Sequence, residues 1–475
     1  MKKILVFLFA IGWSFSSVGQ KDLSFYHFGA STPQSSSFNP SYFPDARFYL
    51  SLPVISGVSV DVNAGLSYDD IFSEIPNTDS VRFDIRKALS SLTEGDRIRN
   101  DGTLSIFQLG FRVGKGTAIS LFANDRYKTS AFYPTSTLDY LSSGNGRFLD
   151  ETVEEGYLSA SGIYYREMGI GVVQKINISE TKKLTIGVRG KYLQGIFQAQ
   201  TNPNASVSFL TDSEDYNLRM TFTNPEIRTA GLDRIEGDSI GYFLENDNAG
   251  YGFDVGLEFE LSKKLSIGLA VNDIGRITWT QNVQNYSLTN NVVDLPDIDF
   301  DDFSNASTFL ADTLEVLFSD ELDSISYSTP LSTRSLASVK YRILPKGTIT
   351  ATAFMENEYH EKILIYGLGY THEFGKMLTL SASGTYNERH GFNVGGGFMA
   401  RFGIMQLYMN VDSFGDAFAV QDAAQVKSMN LRFGMNFLFG RAEKKEKKQK
   451  VKKVKEEVSP FPEEYDLEHI KDIEE

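Results

Sequence analysis

The chain has 475 residues, a formal net charge of −15 and no cysteine. The missing thiols exclude disulfides, thiol catalysis and cysteine metal sites, and the acidic balance argues against a nucleic-acid binder. Phenylalanine (36) and tyrosine (23) are abundant and tryptophan (2) is scarce, a balance that favours strands and membrane interfaces.

Lys2 and Lys3 precede an apolar core from Ile4 to Trp13, and Ser17-Val18-Gly19 follows as a small-residue cleavage site. This pattern predicts a secretory signal peptide over 1–19. The apolar core is too short to span a bilayer, and no run of 18 apolar residues comes after it. Any membrane crossing must then use a closed barrel, which pairs every backbone group internally.

Residues 20–56 are rich in Ser, Pro, Phe and Tyr and lack a long periodic run. Gln20 to Tyr42 reads as a plug or periplasmic lead-in, and Arg47 to Val54 as a short strand. From Gly57 onward, period-2 alternation recurs. Val58, Val60 and Val62 alternate with Ser59, Asp61 and Asn63; Phe107, Leu109 and Phe111 with Gln108, Gly110 and Arg112; Leu184, Ile186 and Val188 with Thr185 and Arg189. Phe253, Val255 and Leu257 alternate with Asp254 and Glu258. The last such stretch places Met429, Leu431, Phe433, Met435, Phe437 and Phe439 on one parity, and Asn430, Arg432 and Asn436 on the other. Such strands are apolar on one side only. They are expected near 57–67, 102–113, 117–127, 160–177, 183–197, 250–261, 265–280, 333–343, 348–358, 362–373, 377–387, 391–402, 404–412 and 426–439. Fourteen is an even number, as single-chain bacterial barrels require.

The connections sort into two kinds that largely alternate. Short turns often hold lysine, as in Gly114-Lys115-Gly116, Ser262-Lys263-Lys264, Pro345-Lys346-Gly347 and Gly375-Lys376. Long segments lie near 67–101, 128–158, 198–249 and 281–332. Outer-membrane barrels show this asymmetry between periplasmic turns and external loops. Val81 to Leu92 and Phe303 to Phe318 have helical spacing and read as amphipathic loop helices on the barrel rim. The tail 441–475 opens with a lysine-rich run and turns acidic around Pro460, Pro462 and Tyr465. It is expected to be disordered when free and periplasmic, with docking to a periplasmic or outer-membrane protein as its candidate role.

The fold expected is therefore all-β: a transmembrane antiparallel barrel of about 14 strands over 57–440, with an N-terminal plug or lead-in over 20–56 and a disordered C-terminal tail. No catalytic constellation stands out. The five histidines are scattered, and there is no nucleophile elbow and no P-loop. Asp294, Asp297, Asp299, Asp301 and Asp302 lack the glycine and closing glutamate of a calcium loop and read as a solvated external loop. No metal and no cofactor is expected. Charge on the lipid face is costly, so Arg112, Arg189, Lys191, Asp254, Glu258 and Arg432 are the candidates to face the lumen. There they pair with one another or with the plug, or line a solute path.

Three features carry a family resemblance. Ser37-Phe38-Asn39-Pro40-Ser41 with Pro44-Asp45-Ala46-Arg47-Phe48 is similar to the Asn-Pro-Ala segment before the barrel of long-chain fatty-acid transporters. Gly252-Phe253-Asp254-Val255-Gly256-Leu257, a lysine turn and Asn272-Asp273-Ile274-Gly275-Arg276-Ile277-Thr278-Trp279 form the second. The strand count with a plug is the third. The chain resembles the transporter-like outer-membrane barrels over about 25–440, most of all the DUF5723 branch of Bacteroidota. The resemblance implies a hatch, with Asn39 and Pro40 as its motif, and passage of a hydrophobic small molecule across the outer membrane of a Gram-negative bacterium. The other readings are a structural subunit of an outer-membrane assembly or export complex engaging partners through 441–475, and a secreted soluble β-protein.

Overall fold

The computed structural model describes residues 23–42, 46–52, 57–63, 66–75, 81–91, 97–132, 145–157, 159–202, 204–214, 216–232, 248–288, 291–295, 321–358, 361–387, 391–412 and 428–440. The signal segment, the Phe303 to Phe318 stretch and the tail lie outside them.

Fourteen wall positions follow one another around a closed antiparallel ring. The first, β1, has two segments, Phe48–Ser51 and Val58–Asn63. It is followed by β2 (Arg97–Val113), β3 (Thr117–Phe132), β4 (Ala160–Asn177), β5 (Lys183–Thr201), β6 (Ala249–Glu260) and β7 (Leu265–Trp279). The second half comprises β8 (Arg334–Leu344), β9 (Gly347–Glu358), β10 (Glu361–Phe374), β11 (Leu378–Asn387), β12 (Gly391–Phe402), β13 (Met405–Asp412) and β14 (Ser428–Phe439). Each strand pairs with its predecessor, and β14 pairs with β1 to shut the ring.

The wall begins earlier than the alternation suggests. Phe48–Ser51 is a strand, but it lies in the wall instead of preceding it: Tyr49 stands opposite Leu438 on one side and Gly110 on the other. The segment is too short to show a period, and Tyr49 points inward beside Ala46 and Leu438, whereas the Phe48 ring packs at a tilt against that of Phe439.

The outward parity is apolar all round. Leu368 is 60 % exposed, Phe253 52 % and Ile170 51 %, and Val188, Leu269, Val339, Phe398 and Phe433 continue the belt. A water-soluble protein does not carry a patch of this extent; hydrocarbon is the solvent that matches it. The inward parity is polar on several strands. Thr379, Ser381, Ser383 and Thr385 of β11 are buried, as are Asn430 and Asn436 of β14.

The short connections, including Gly114-Lys115-Gly116 and Gly375-Lys376-Met377, share one end of the barrel with Arg47 and Gly440. The opposite end is uneven. Connections 359–360 and 388–390 are as short as the turns. The segments after β1, β3, β5 and β7 instead carry extra structure. Strands Thr152–Tyr157, Ser206–Thr211, Leu218–Thr223 and Val292–Leu295 form a separate four-stranded sheet over a core including Val207, Phe209 and Phe222. In the first loop, the helix expected over 81–92 starts late. Val81–Phe83 pairs with Phe72–Glu74, and only Ile85–Ser91 is helical, because Asp84 receives the Lys87 amide at 3.1 Å and so caps the helix there.

Candidate functional site

Fourteen strands enclose more space than inward side chains fill, and residues 23–42 occupy it. This plug is built of one helical turn, Leu23–Tyr26, and 3-10 turns at Gly29–Ser31 and Pro33–Ser37. Phe25, Tyr26, Phe28 and Phe38 pack with Leu336, Phe354, Ile365 and Tyr408 of the wall. Burying apolar side chains of this size is the main adhesive of the plug. Its backbone is held by wall side chains on opposite sides: Arg189 donates to the Ser36 carbonyl at 3.0 Å and Asn272 to the Phe38 carbonyl at 2.8 Å. Across the lumen, Gln406 donates to the Ser31 carbonyl at 2.8 Å and Gln34 exchanges amide bonds with Asn436. The Ser24 amide and hydroxyl both bond the buried Asp412 carboxylate, and its hydroxyl touches that of Ser383.

The Asn39-Pro40 turn sits directly on the wall. Asn39 accepts from the Ser41 amide at 3.0 Å and hydroxyl at 2.8 Å, and donates to the Leu257 carbonyl at 3.3 Å. Beneath it, Gly187 of β5 and Gly256 of β6 are cross-strand partners. A Cβ on Gly187 would stand 2.1 Å from the Pro40 carbonyl oxygen, and one on Gly256 2.1 Å from Asn39 Oδ1. This glycine pair is the flat seat that lets backbone approach backbone.

Above the seat lies a buried ion network. Lys191 Nζ is 2.7 Å from Asp254 and 2.5 Å from Asp273. Arg189 reaches Asp254 at 3.5 Å and lies over the Phe122 ring at 3.8 Å. Arg126 reaches Asp273 at 3.0 Å and Glu167 at 3.5 Å, and Arg334 reaches Asp273 at 2.6 Å. A tier nearer the looped end joins Lys128 to Glu356 and Glu358, each at 2.7 Å, and Arg99 to Glu358 at 2.9 Å. A tier nearer the turns joins Lys340 to Glu258 at 3.3 Å and to the Tyr42 hydroxyl.

Of the residues singled out from sequence, Arg189, Lys191 and Asp254 meet in one cluster. Glu258 lies a tier below, Arg432 stands 4.8 Å over the Phe25 ring, and Arg112 lines a cavity at the turn end. Sequence reasoning missed Arg126, Glu167, Asp273 and Arg334. Strict alternation from Leu265 assigns Asp273 to the lipid face with Val271. A bulge between β6 and β7 turns it inward, with Asp273 in the left-handed region at φ 62°. The legible signal was an aspartate on an apolar parity, followed by Ile274 out of phase.

Two cavities flank this septum. The one toward the looped end holds about 490 Å³ and is lined by Ile163, Tyr165, Pro330 and Leu331 together with Lys128, Glu356 and Glu358. The one at the turn end holds about 220 Å³ and is lined by Tyr42, Arg112, Lys115, Glu258 and Lys340. A chamber of about 60 Å³ lies between, against Gln34, Glu167, Lys191 and Arg432.

A family model matches residues 40–412. The chain belongs to the DUF5723 family, a family of unknown function. The match covers this DUF5723 chain from Pro40 of the seat to the end of β13. None of the curated proteins matches it. Among solved structures, the Ralstonia pickettii toluene transporter TbuX is 10 % identical, with 86 % of this chain and 94 % of that one covered and a TM-score of 0.41. A Pseudomonas aeruginosa FadL homologue is 10 % identical over 90 % of this chain and 100 % of its own, at 0.39. The Pseudomonas putida toluene transporter TodX is 9 % identical over 85 % and 92 %, at 0.37.

Proposed function

We propose that this protein is an outer-membrane barrel of a Gram-negative bacterium that admits a hydrophobic small molecule and passes it inward by shifting its plug. The observation that carries this reading is the cavity of about 490 Å³ at the looped end, in the size range of small-molecule pockets. Its apolar lining by Ile163, Tyr165 and Leu331 suits an uncharged hydrophobic body, and the ion tiers below it disfavour straight descent of such a body through the septum. Release of the plug from its seat opens the alternative route.

Trp279 makes the reading testable, since it is packed in one cluster with Tyr165 and Leu331. Toluene, the solute named for the Ralstonia and P. putida proteins, is the probe of choice. Toluene is expected to change Trp279 fluorescence saturably and to enter vesicles with a lipopolysaccharide outer leaflet faster with the protein than without it, while a sugar of similar size gains no entry. Leu331→Asp is expected to weaken the toluene response. Toluene entry no faster with the protein than without it, or a response indifferent to Leu331→Asp, overturns the proposal.

A further inference from the structure

We infer that the turn end of the barrel is a ring-shaped binding surface for the phosphate headgroups of anionic phospholipids. The inference rests on the membrane placement proposed above.

Six short connections lie at this end, and each carries a cation in or beside it: Lys115, Lys182, Lys264, Lys346, Lys376 and Arg401. The five lysines are exposed. Arg47 fills the seventh position, where β14 meets β1. The ring is positive in a chain whose net charge is −15, so the concentration of cations here runs against composition. Glu180 is the acid within the turns, exposed Glu373 lies beside two of them with its amide on the Lys346 carbonyl, and Glu260 engages Lys175 and Lys183 at 3.6 and 3.8 Å.

A second feature identifies what the ring meets. Half-open apolar side chains accompany the cations: Val113 at 49 %, Ile178 at 55 %, Leu344 at 48 %, Met377 at 57 % and Ile404 at 50 % exposure. A lysine beside an exposed apolar group matches a boundary where hydrocarbon gives way to phosphate. The cations are also spread over the whole circumference. A lipid annulus touches every turn, whereas a docked acidic protein would draw its cations onto one arc.

The test uses the intact protein in a neutral detergent, offered equal amounts of phosphatidylglycerol and phosphatidylcholine, with the retained lipid read by native mass spectrometry. Phosphatidylglycerol is expected to be retained in severalfold excess at low salt, with the excess shrinking toward 1 M salt as the screening length falls to about 3 Å. The combined variant K115Q, K182Q, K264Q, K346Q and K376Q is expected to lose most of the excess while keeping the barrel's heat-dependent gel shift. Variants neutralising only one half of the ring are expected to lose a proportionate share. Equal retention of the two lipids by the unmodified protein overturns the inference, as does an excess that survives all five substitutions. An excess that survives while an acidic protein is released from the ring variant assigns the surface to a protein instead. A chain that stays soluble without detergent and takes up neither lipid refutes the membrane placement itself.

Discussion

Lys191→Met is the sharpest probe of the septum. The Lys191 side chain is 2 % exposed and bridges Asp254 at 2.7 Å and Asp273 at 2.5 Å, with Glu167 at 3.7 Å. Methionine keeps the length of the side chain and removes the charge. Asp273 retains Arg126 and Arg334, but Asp254 keeps only Arg189, at 3.5 Å, among its ion pairs. Removing one partner of a buried pair costs about 3–5 kcal/mol, because the charge left behind has no solvent. At about 1.4 kcal/mol per factor of ten, the unfolding constant should rise by two to three and a half decades. The assay is urea unfolding in lipid vesicles, followed by the fluorescence of Trp279, on a chain lacking residues 1–19 and therefore Trp13. Adding Asp254→Asn to Lys191→Met should recover part of the loss, since the under-paired carboxylate is gone while Arg189 gives up its ion pair with it. A loss below about 1 kcal/mol for the single variant, within the range of exposed pairs, would refute the argument that this network is dry and interdependent.

Further outcomes follow from the same geometry. Gly256→Val drives a side chain into Asn39 and Pro40; it should cost about 1–3 kcal/mol and expose residues 23–42 to protease. In Ser24→Cys with Ser383→Cys, the two thiols replace touching hydroxyls in a chain with no other cysteine. Oxidation should then lock the plug and abolish the protein-dependent part of toluene entry until a reductant is added, and an unchanged protein-dependent rate would show that the plug need not move. Leu269→Arg places a charge in the outward belt and should cost about 2–4 kcal/mol in vesicles. Arg219→Ala breaks an ion pair with Asp294 that is exposed on both sides, and the unfolding midpoint should not move.

The barrel was legible because lipid and lumen impose opposite demands on alternate residues. Wherever one strand kept its register, as from Leu378 to Asn387, side-chain chemistry alone assigned inside and outside. It stopped being legible where the backbone slips. Asp273 pairs with Arg126, Lys191 and Arg334, yet one residue of bulge reverses its face, and parity has no term for that. Phe48–Ser51 is too short to display a period, and only its pairing with β2 and β14 reveals it as wall. The Asn39-Pro40 motif was visible as residues, but its seat was not. Gly187 and Gly256 are 69 positions apart, and their meeting depends on the register of β5 against β6. The uneven loop end escaped for another reason: loop length shows where chain is spent, not that its strands assemble into a sheet of their own.

The plug's grip on opposite walls has a consequence for how the molecule is made. The ring shuts only when β14 finds β1, so closure waits for nearly the whole chain. The plug precedes β1 and is bonded both to Arg189 and Asn272 and, across the lumen, to Gln406 and Asn436. A segment anchored on both sides of an interior is placed most simply while the sheet is still open. Residues 23–42 then serve as the former around which the sheet curls, and the seam is the last stitch. A chain lacking 23–42 should accordingly reach the closed, heat-shiftable form more slowly in vesicle refolding, and an unchanged rate would mean that the wall finds its curvature alone.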